Sequence, residues 1–271
     1  MSFKDLPYLI DLLDDDTPEV RVEIISKFEN YGINLEKDIF SCDLTLSPLQ
    51  LSFLTPIFYS NRRKWILENW ELALNFSDQY QKLESALTVL SYFHYGYFSE
   101  KDLPNYIQEL TDEFLLKYPY GDEIDLANFL FQELGIKGAV KDYNNPFNSN
   151  LIYAIKEKQG LPITLSLIYI LAGYRLDFNI QGCNFPGHFL TRVKIENELI
   201  FIDCFNGGRM ILENEIKEML RDLPSAESII YENYSAKIIL LRVLNNLVNS
   251  YSLFEDKTNK IFFHELILRT K

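Results

Sequence analysis

Residues 160–208 read GLPITLSLIYILAGYRLDFNIQGCNFPGHFLTRVKIENELIFIDCFNGG, and this run decides the fold. Proline suits the first turn of a helix, so Pro162 predicts a helix opening there and running to about Arg175. Ile163, Leu167, Ile170, Leu171 and Tyr174 fall on one side of it. Leu165, Ile168 and Tyr169 are apolar on others, and a helix apolar on most faces is a central, buried one. Short strands follow, at about Ile180 to Cys183, His188 to Ile195 and Leu199 to Asp203, with Glu196-Asn197 as the hairpin turn. The fold class this predicts is α+β and predominantly helical, with a central buried helix packed on a small antiparallel sheet.

The order helix, His-bearing strand, Asp-bearing strand has a chemical meaning. A nucleophile at the start of a buried helix sits at the positive end of the helix dipole, which favours a thiolate. A His on a nearby strand can take and return the proton, and an Asp on the next can orient that His and stabilise its charged form. His188 and Asp203 fill the last two places. A two-residue turn at Glu196-Asn197 pairs Ile195 with Glu198 and therefore Leu190 with Asp203, which puts His188 and Asp203 on one face as diagonal neighbours. A slip of one residue would point them to opposite faces. Gly187, Gly207 and Gly208 permit positive φ or close backbone approach. Together with Asn184, Phe185 and Asn206 they are the candidate rim of a cleft around His188, a default binding site.

Upstream, DYNNPFNSN (142–150) is dense in turn formers, and a short helix from Leu151 to Lys158 precedes Gly160. Residues 48–135 read as four or five further helices, with starts at Ser47-Pro48, Ser77 with Asp78, Ser99 with Glu100, and Asp122. The apolar set Leu83, Ala86, Leu87, Leu90 and Phe93 has clean helical spacing, and His94 beside it reads as a packed or partly exposed side chain, not a ligand. At the N-terminus, LPYLIDLLDDDTPEVRVEIISKF (6–28) reads as a helix pair resembling a single HEAT-type repeat, with Thr17 as cap and Pro18 at the first helical position. The alternative is an ordinary helical hairpin. Glu213 to Arg221 and Ser235 to about Glu255 are helical, and Ile261 to Leu268 is a short helix or strand. The best boundary, Gly135 to Ala139, divides the chain into a helical region, 1–138 (1–35 being the helix pair), and a core with C-terminal helices, 139–271.

Composition narrows the function classes. The 271 residues are 47% hydrophobic and carry a net charge of −13, enough apolar content for a sizeable core and a surface that repels nucleic acid and anionic membranes. The basic cluster Asn61-Arg62-Arg63-Lys64 reads as a solvated helix start. Three cysteines (Cys42, Cys183, Cys204) with no CxxC spacing fit a reducing, cytoplasmic compartment, neither a disulfide framework nor a zinc site. The three histidines are too scattered for a metal motif. Neither metal nor cofactor is expected.

NFPGHF (184–189) and FIDCFNGG (201–208), supported by NPFNS (145–149), GLPITLS (160–166) and LLRVLNNL (240–247), resemble the transglutaminase-like family typified by the bacterial Sir-B-one protein. The resemblance covers roughly Asp142 to Tyr251. It implies a papain-like core with His188 and Asp203 at the catalytic His and Asp positions, and it exposes a gap: the nucleophilic Cys of the active enzymes falls at or next to Pro162, a residue with no nucleophile that this family generally carries. Cys204 stands where the family usually has proline. Cys183, Thr164 and Ser166 are the remaining nucleophile candidates, each with a simpler reading as a buried or backbone-bonded side chain. His188 itself is either a structural residue pinning the hairpin or a ligand contact.

Two functions compete. One is a non-catalytic protein- or peptide-binding or regulatory module with a relic His–Asp site. The other is a hydrolase or acyl transferase using His188 and Asp203 with another nucleophile or a water. The missing Cys favours the first. A purely helical interaction protein would leave the PGHF and FNGG motifs unexplained.

Overall fold

Three short helices, α1 (Leu6–Asp11), α2 (Pro18–Glu29) and α3 (Leu35–Ser41), lead into α4 (Pro48–Ala73), in a computed structural model that describes residues 3–42, 44–96, 101–196, 198–222 and 228–271. Thr17 precedes α2 as the sequence predicts, but its side chain caps nothing. Instead Asp15 accepts the Thr17 amide at 2.7 Å and shapes the entry. α4 opens on a capping box in which the Ser47 side chain accepts the Gln50 amide and the Gln50 side chain accepts the Ser47 amide. It runs for 26 residues and passes through Pro56, which cannot donate to the Ser52 carbonyl.

Next come α5 (Gln79–Tyr95), α6 (Leu103–Lys117) and α7 (Glu123–Asn128), capped by Asp78, Asp102 and Asp122. The start marked by Ser99 and Glu100 lies outside the described residues. α7 continues directly into one π-helical turn, Phe129–Glu133. Two very short strands, β1 (Lys137–Gly138) and β2 (Gln159–Gly160), pair in parallel around α8 (Leu151–Glu157).

α9 (Pro162–Arg175) is buried at every position from Ile163 to Gly173. At Gly173 a Cβ would come within 2.3 Å of Ile180, so the absence of a side chain lets the chain fold back onto the helix there. A four-stranded antiparallel meander follows, β3 (Gln181–Cys183), β4 (Leu190–Ile195), β5 (Glu198–Asp203) and β6 (Arg209–Leu212), hydrogen-bonded in that order. Phe189, Val193 and Ile202 face the core that holds α9. On the other side Cys183, Leu190, Phe201 and Ile211 form a second cluster with Ile216 and Leu220, the residues of and beside α10 (Glu213–Met219). α11 (Ala236–Leu253) and α12 (Lys257–Thr270) close the chain, which settles the Ile261–Leu268 segment as helix.

The fold is thus α+β and predominantly helical, with the central helix on a small sheet. β6 and the β1–β2 pair are additions to the sequence reading. One correction concerns His188: the strand begins at Leu190, and His188 lies in the preceding turn, where its amide donates to the Phe185 carbonyl at 2.9 Å. Gly187, at φ 72°, makes that turn possible. Besides the cluster under the sheet, apolar packing falls into one cluster drawn from Leu6 to Phe58 and a larger one drawn from Ile66 to Ile267.

Candidate functional site

The β4–β5 register is Ile195 opposite Glu198 and Thr191 opposite Ile202. Glu196 adopts φ 51° at the turn; Asn197 lies outside the described residues. One step beyond this ladder, Asp203 ends β5 and His188 ends the turn before β4. Their side chains meet, His188 Nε2 to Asp203 Oδ1 at 2.9 Å.

The Asp203 carboxylate is held from three directions. Besides His188, the Asn206 amide donates to Oδ1 at 3.1 Å and Asn206 Nδ2 donates to Oδ2 at 2.7 Å. Burial by itself would raise the Asp203 pKa, but the hydrogen bonds from His188 and Asn206 outweigh it and the carboxyl sits below its ordinary value. It is therefore an anion positioned to orient the imidazole. The His188 side chain is 23% exposed against 8% for Asp203, so the ring is the accessible member of the pair. Among the described residues Nδ1 of His188 has no hydrogen-bond partner.

Several residues that fix this pair have roles that the sequence reading does not assign. Arg242 of α11 donates from Nη2 to the His188 carbonyl at 2.7 Å and lies over the Phe189 ring, 5.2 Å from its centroid. Phe205 stands edge-on to the His188 ring at 6.1 Å and meets Tyr143 on its other side. Gln132, in the π-helical turn, donates to the Gly207 carbonyl. Phe131 of the same turn fills the space a Gly208 side chain would need, 2.9 Å from its Cβ position. Gly207 and Gly208 take φ 71° and 72°, and the Gly208 amide donates to the Asp203 carbonyl at 2.9 Å. The LLRVLNNL motif contained Arg242, but only tertiary packing reveals its bond to His188.

The other expected rim residues divide. Asn206 touches Asp203 directly. Asn184 is partly exposed in the loop after β3, and Gly187 is exposed with open space around it. Phe185 departs from the expectation: its ring is buried with Cys183, Leu190 and Phe201 under the sheet, because the turn that lifts His188 tucks Phe185 inward.

The start of α9 is tied to the same neighbourhood. The Gly138 amide donates to the Phe205 carbonyl at 3.0 Å, Ala139 to Gly160 at 3.1 Å, and Leu161 to Asn148 at 3.1 Å. Pro162 takes the first helical position, with no side-chain cap at Leu161. The alternative nucleophiles are all buried. Burial pushes the Cys183 thiol up to about 11 and the Cys204 thiol up to about 12, the latter against smaller opposing effects of the Ser166 and Thr191 hydroxyls. Neither is a ready thiolate near neutral pH. Thr164 Oγ1 is buried without a partner among the described residues, as is Asn148 Oδ1.

A central helix on an antiparallel meander, with a His–Asp pair at one end of the sheet, defines a transglutaminase-like class. The chain belongs to the transglutaminase-like superfamily, whose family model matches residues 101–245, more than half of its length. It is similar to a UPF0162 protein of Xylella fastidiosa, 34% identical over 131 residues that make up 46% of this chain and 47% of that protein. It is also similar to F-box only protein 21 of Mus musculus and of Homo sapiens, each 28% identical over 151 residues, 49% of this chain and 24% of theirs. The chain spans about half the length of the UPF0162 relative and about a quarter of the F-box proteins. No solved structure matches. Among the described residues no helix is long and apolar enough to cross a membrane.

Proposed function

We propose that the protein is a non-catalytic, Sir-B-one-type member of its superfamily, a cytoplasmic protein- or peptide-binding regulatory module whose His188–Asp203 pair is retained for holding a ligand. The observation that carries this reading is Pro162 at the first position of α9, at or next to the place where the superfamily's reaction would need a thiolate. The buried, high-pKa thiols of Cys183 and Cys204 support it, since neither supplies a replacement. The HEAT-like reading of residues 1–35 would add a second surface for a partner. The division at 138/139 belongs to the same reading as a division of the chain and not of the core, which draws residues from both sides of it. The three free cysteines support a reducing compartment.

A hydrolytic reading is kept by one observation: the accessible His188 ring is oriented by an anionic Asp203, as activation of a water would require. Esterase, amidase and transamidase assays on the wild type and His188→Ala separate the two. The expected result is no turnover in either protein. Turnover that disappears in His188→Ala, with its circular dichroism and melting curve intact, would overturn the binding-module reading.

A further inference from the structure

A groove of about 750 Å³, with neither His188 nor Asp203 among its lining residues, lies where α4, the 142–147 loop and the α11–α12 junction meet. Its walls are apolar and aromatic, with Pro56, Tyr59, Phe147 and Phe254 among them, and its volume is in the range of small-ligand sites. Its donors are set by a chain of hydrogen bonds that starts in the core.

Asn150 caps α8 through Oδ1, which accepts the Ile152 and Tyr153 amides at 3.0 and 3.3 Å. The orientation of its amide group is therefore fixed, and Nδ2 is the atom that faces His94 Nδ1 at 3.2 Å. An NH₂ group can only donate, so Nδ1 of His94 accepts and the ring proton resides on Nε2. The ring is half-buried and neutral, stacked on Phe147 with centroids 4.2 Å apart. Nε2–H donates to the Tyr251 hydroxyl oxygen at 3.2 Å. Tyr251 is only 8% exposed, and its own O–H finds no acceptor among the described residues, yet Tyr251 lines the groove.

Arg63 supplies the second donor. It lines the same groove, and its Nη1 donates to Asn259 Oδ1 at 2.9 Å. Its Nε and Nη2 have no partner among the described residues. Two carboxylates also line the groove. Asp256 accepts the Asn259 amide at 3.0 Å on one oxygen and Asn259 Nδ2 at 2.6 Å on the other, as the cap of α12, and its charge is also felt by Arg63. Asp142, on the loop side, accepts from Asn145 Nδ2 at 2.8 Å.

We propose that this groove binds a carboxylate carried on an apolar body, the carboxylate between the Arg63 guanidinium and the Tyr251 hydroxyl and the body against Phe147 and Phe254. A guanidinium with two uncommitted N–H donors matches a carboxylate in plane, and a buried hydroxyl proton without an acceptor completes the demand for one. Such a group is presented either by a small organic acid or by the free C-terminus of a peptide with an apolar last residue.

Calorimetric titration of the full chain tests this with four probes: 4-phenylbutyrate, 4-phenylbutyramide, acetyl-Ala-Ala-Phe with a free carboxylate, and the same tripeptide as its C-terminal amide. At least one acid is expected to bind about tenfold or more tighter than its amide, the loss of one charge-assisted hydrogen-bonding group. Arg63→Gln should abolish that preference. Phe254→Ala, at a residue 58% exposed and so not needed for folding, should weaken acid and amide alike. A tighter peptide acid assigns the source to a chain terminus, and a tighter phenylbutyrate to a free organic acid; both support the site. Equal binding of acids and amides, a preference that survives Arg63→Gln, or no binding at millimolar concentration would overturn it.

Discussion

His94 and Asp203 are both titratable groups set by their surroundings, and they respond to acid in different windows. Burial, with a smaller contribution from Arg62, pushes the His94 pKa down to about 3 from 6.5, so the fold holds it neutral. A depressed pKa of this kind contributes stability that is fully present above about pH 6.5 and is lost as pH falls, because the unfolded chain takes up a proton the native one refuses. The slope between those values approaches about 1.4 kcal/mol per pH unit. The Asp203 carboxyl is also lowered, from 3.8, so its contribution is intact until the pH drops below that value. Urea denaturation at pH 7 and pH 5 should therefore show a loss of stability that comes from His94, and His94→Gln should show a smaller one. In the sequence, His94 was legible as a packed or partly exposed residue from its neighbours Tyr92 and Phe93. Its tautomer and its two partners were not, since Asn150 and Tyr251 are 56 and 157 residues away.

Elements differ in how far local sequence specifies them. α9 was legible because eleven consecutive buried positions leave no other reading for so apolar a run, and the β4–β5 hairpin because its register follows from the turn length. β1, β2 and β6 were not, since strands of two to four residues carry no periodicity. The π-helical turn has no sequence signature at all; packing of Phe131 and Gln132 on the Gly207-Gly208 turn accompanies it. Two glycine substitutions should separate backbone from packing. Gly187→Ala meets open space and should cost about 1–2 kcal/mol for its positive φ alone. Gly208→Ala has the same φ but must also displace Phe131, so its thermal midpoint should fall further. Equal losses would mean that the Phe131 contact is slack.

At the scale of the whole molecule, α4 belongs to both apolar clusters: Leu54, Ile57 and Phe58 to the first, Ile66, Trp70 and Ala73 to the second. Two polar fastenings reinforce it. Arg62 pairs with the buried Glu36 and donates to the Phe93 and His94 carbonyls at 3.0 and 2.9 Å, and Trp70 Nε1 donates to Thr270 at 3.0 Å. Phe28, fully buried, touches only the first cluster. Phe28→Ala should cost about 3–5 kcal/mol locally. Hydrogen exchange should lose protection over residues 6–58 while α9 and α11 keep theirs, and a uniform loss would show the clusters to be one cooperative unit.

Considered as a beam, α4 has one weak cross-section. The Ser52 carbonyl lacks its helical partner at Pro56, whereas the stretch from Tyr59 onward is clamped to α5 and α12. Flexure is thus concentrated at the residue that also forms part of the groove wall. A torque on the first three helices would bend α4 at Pro56 and shift that part of the groove wall, and an occupant packed against Pro56 would resist the bend.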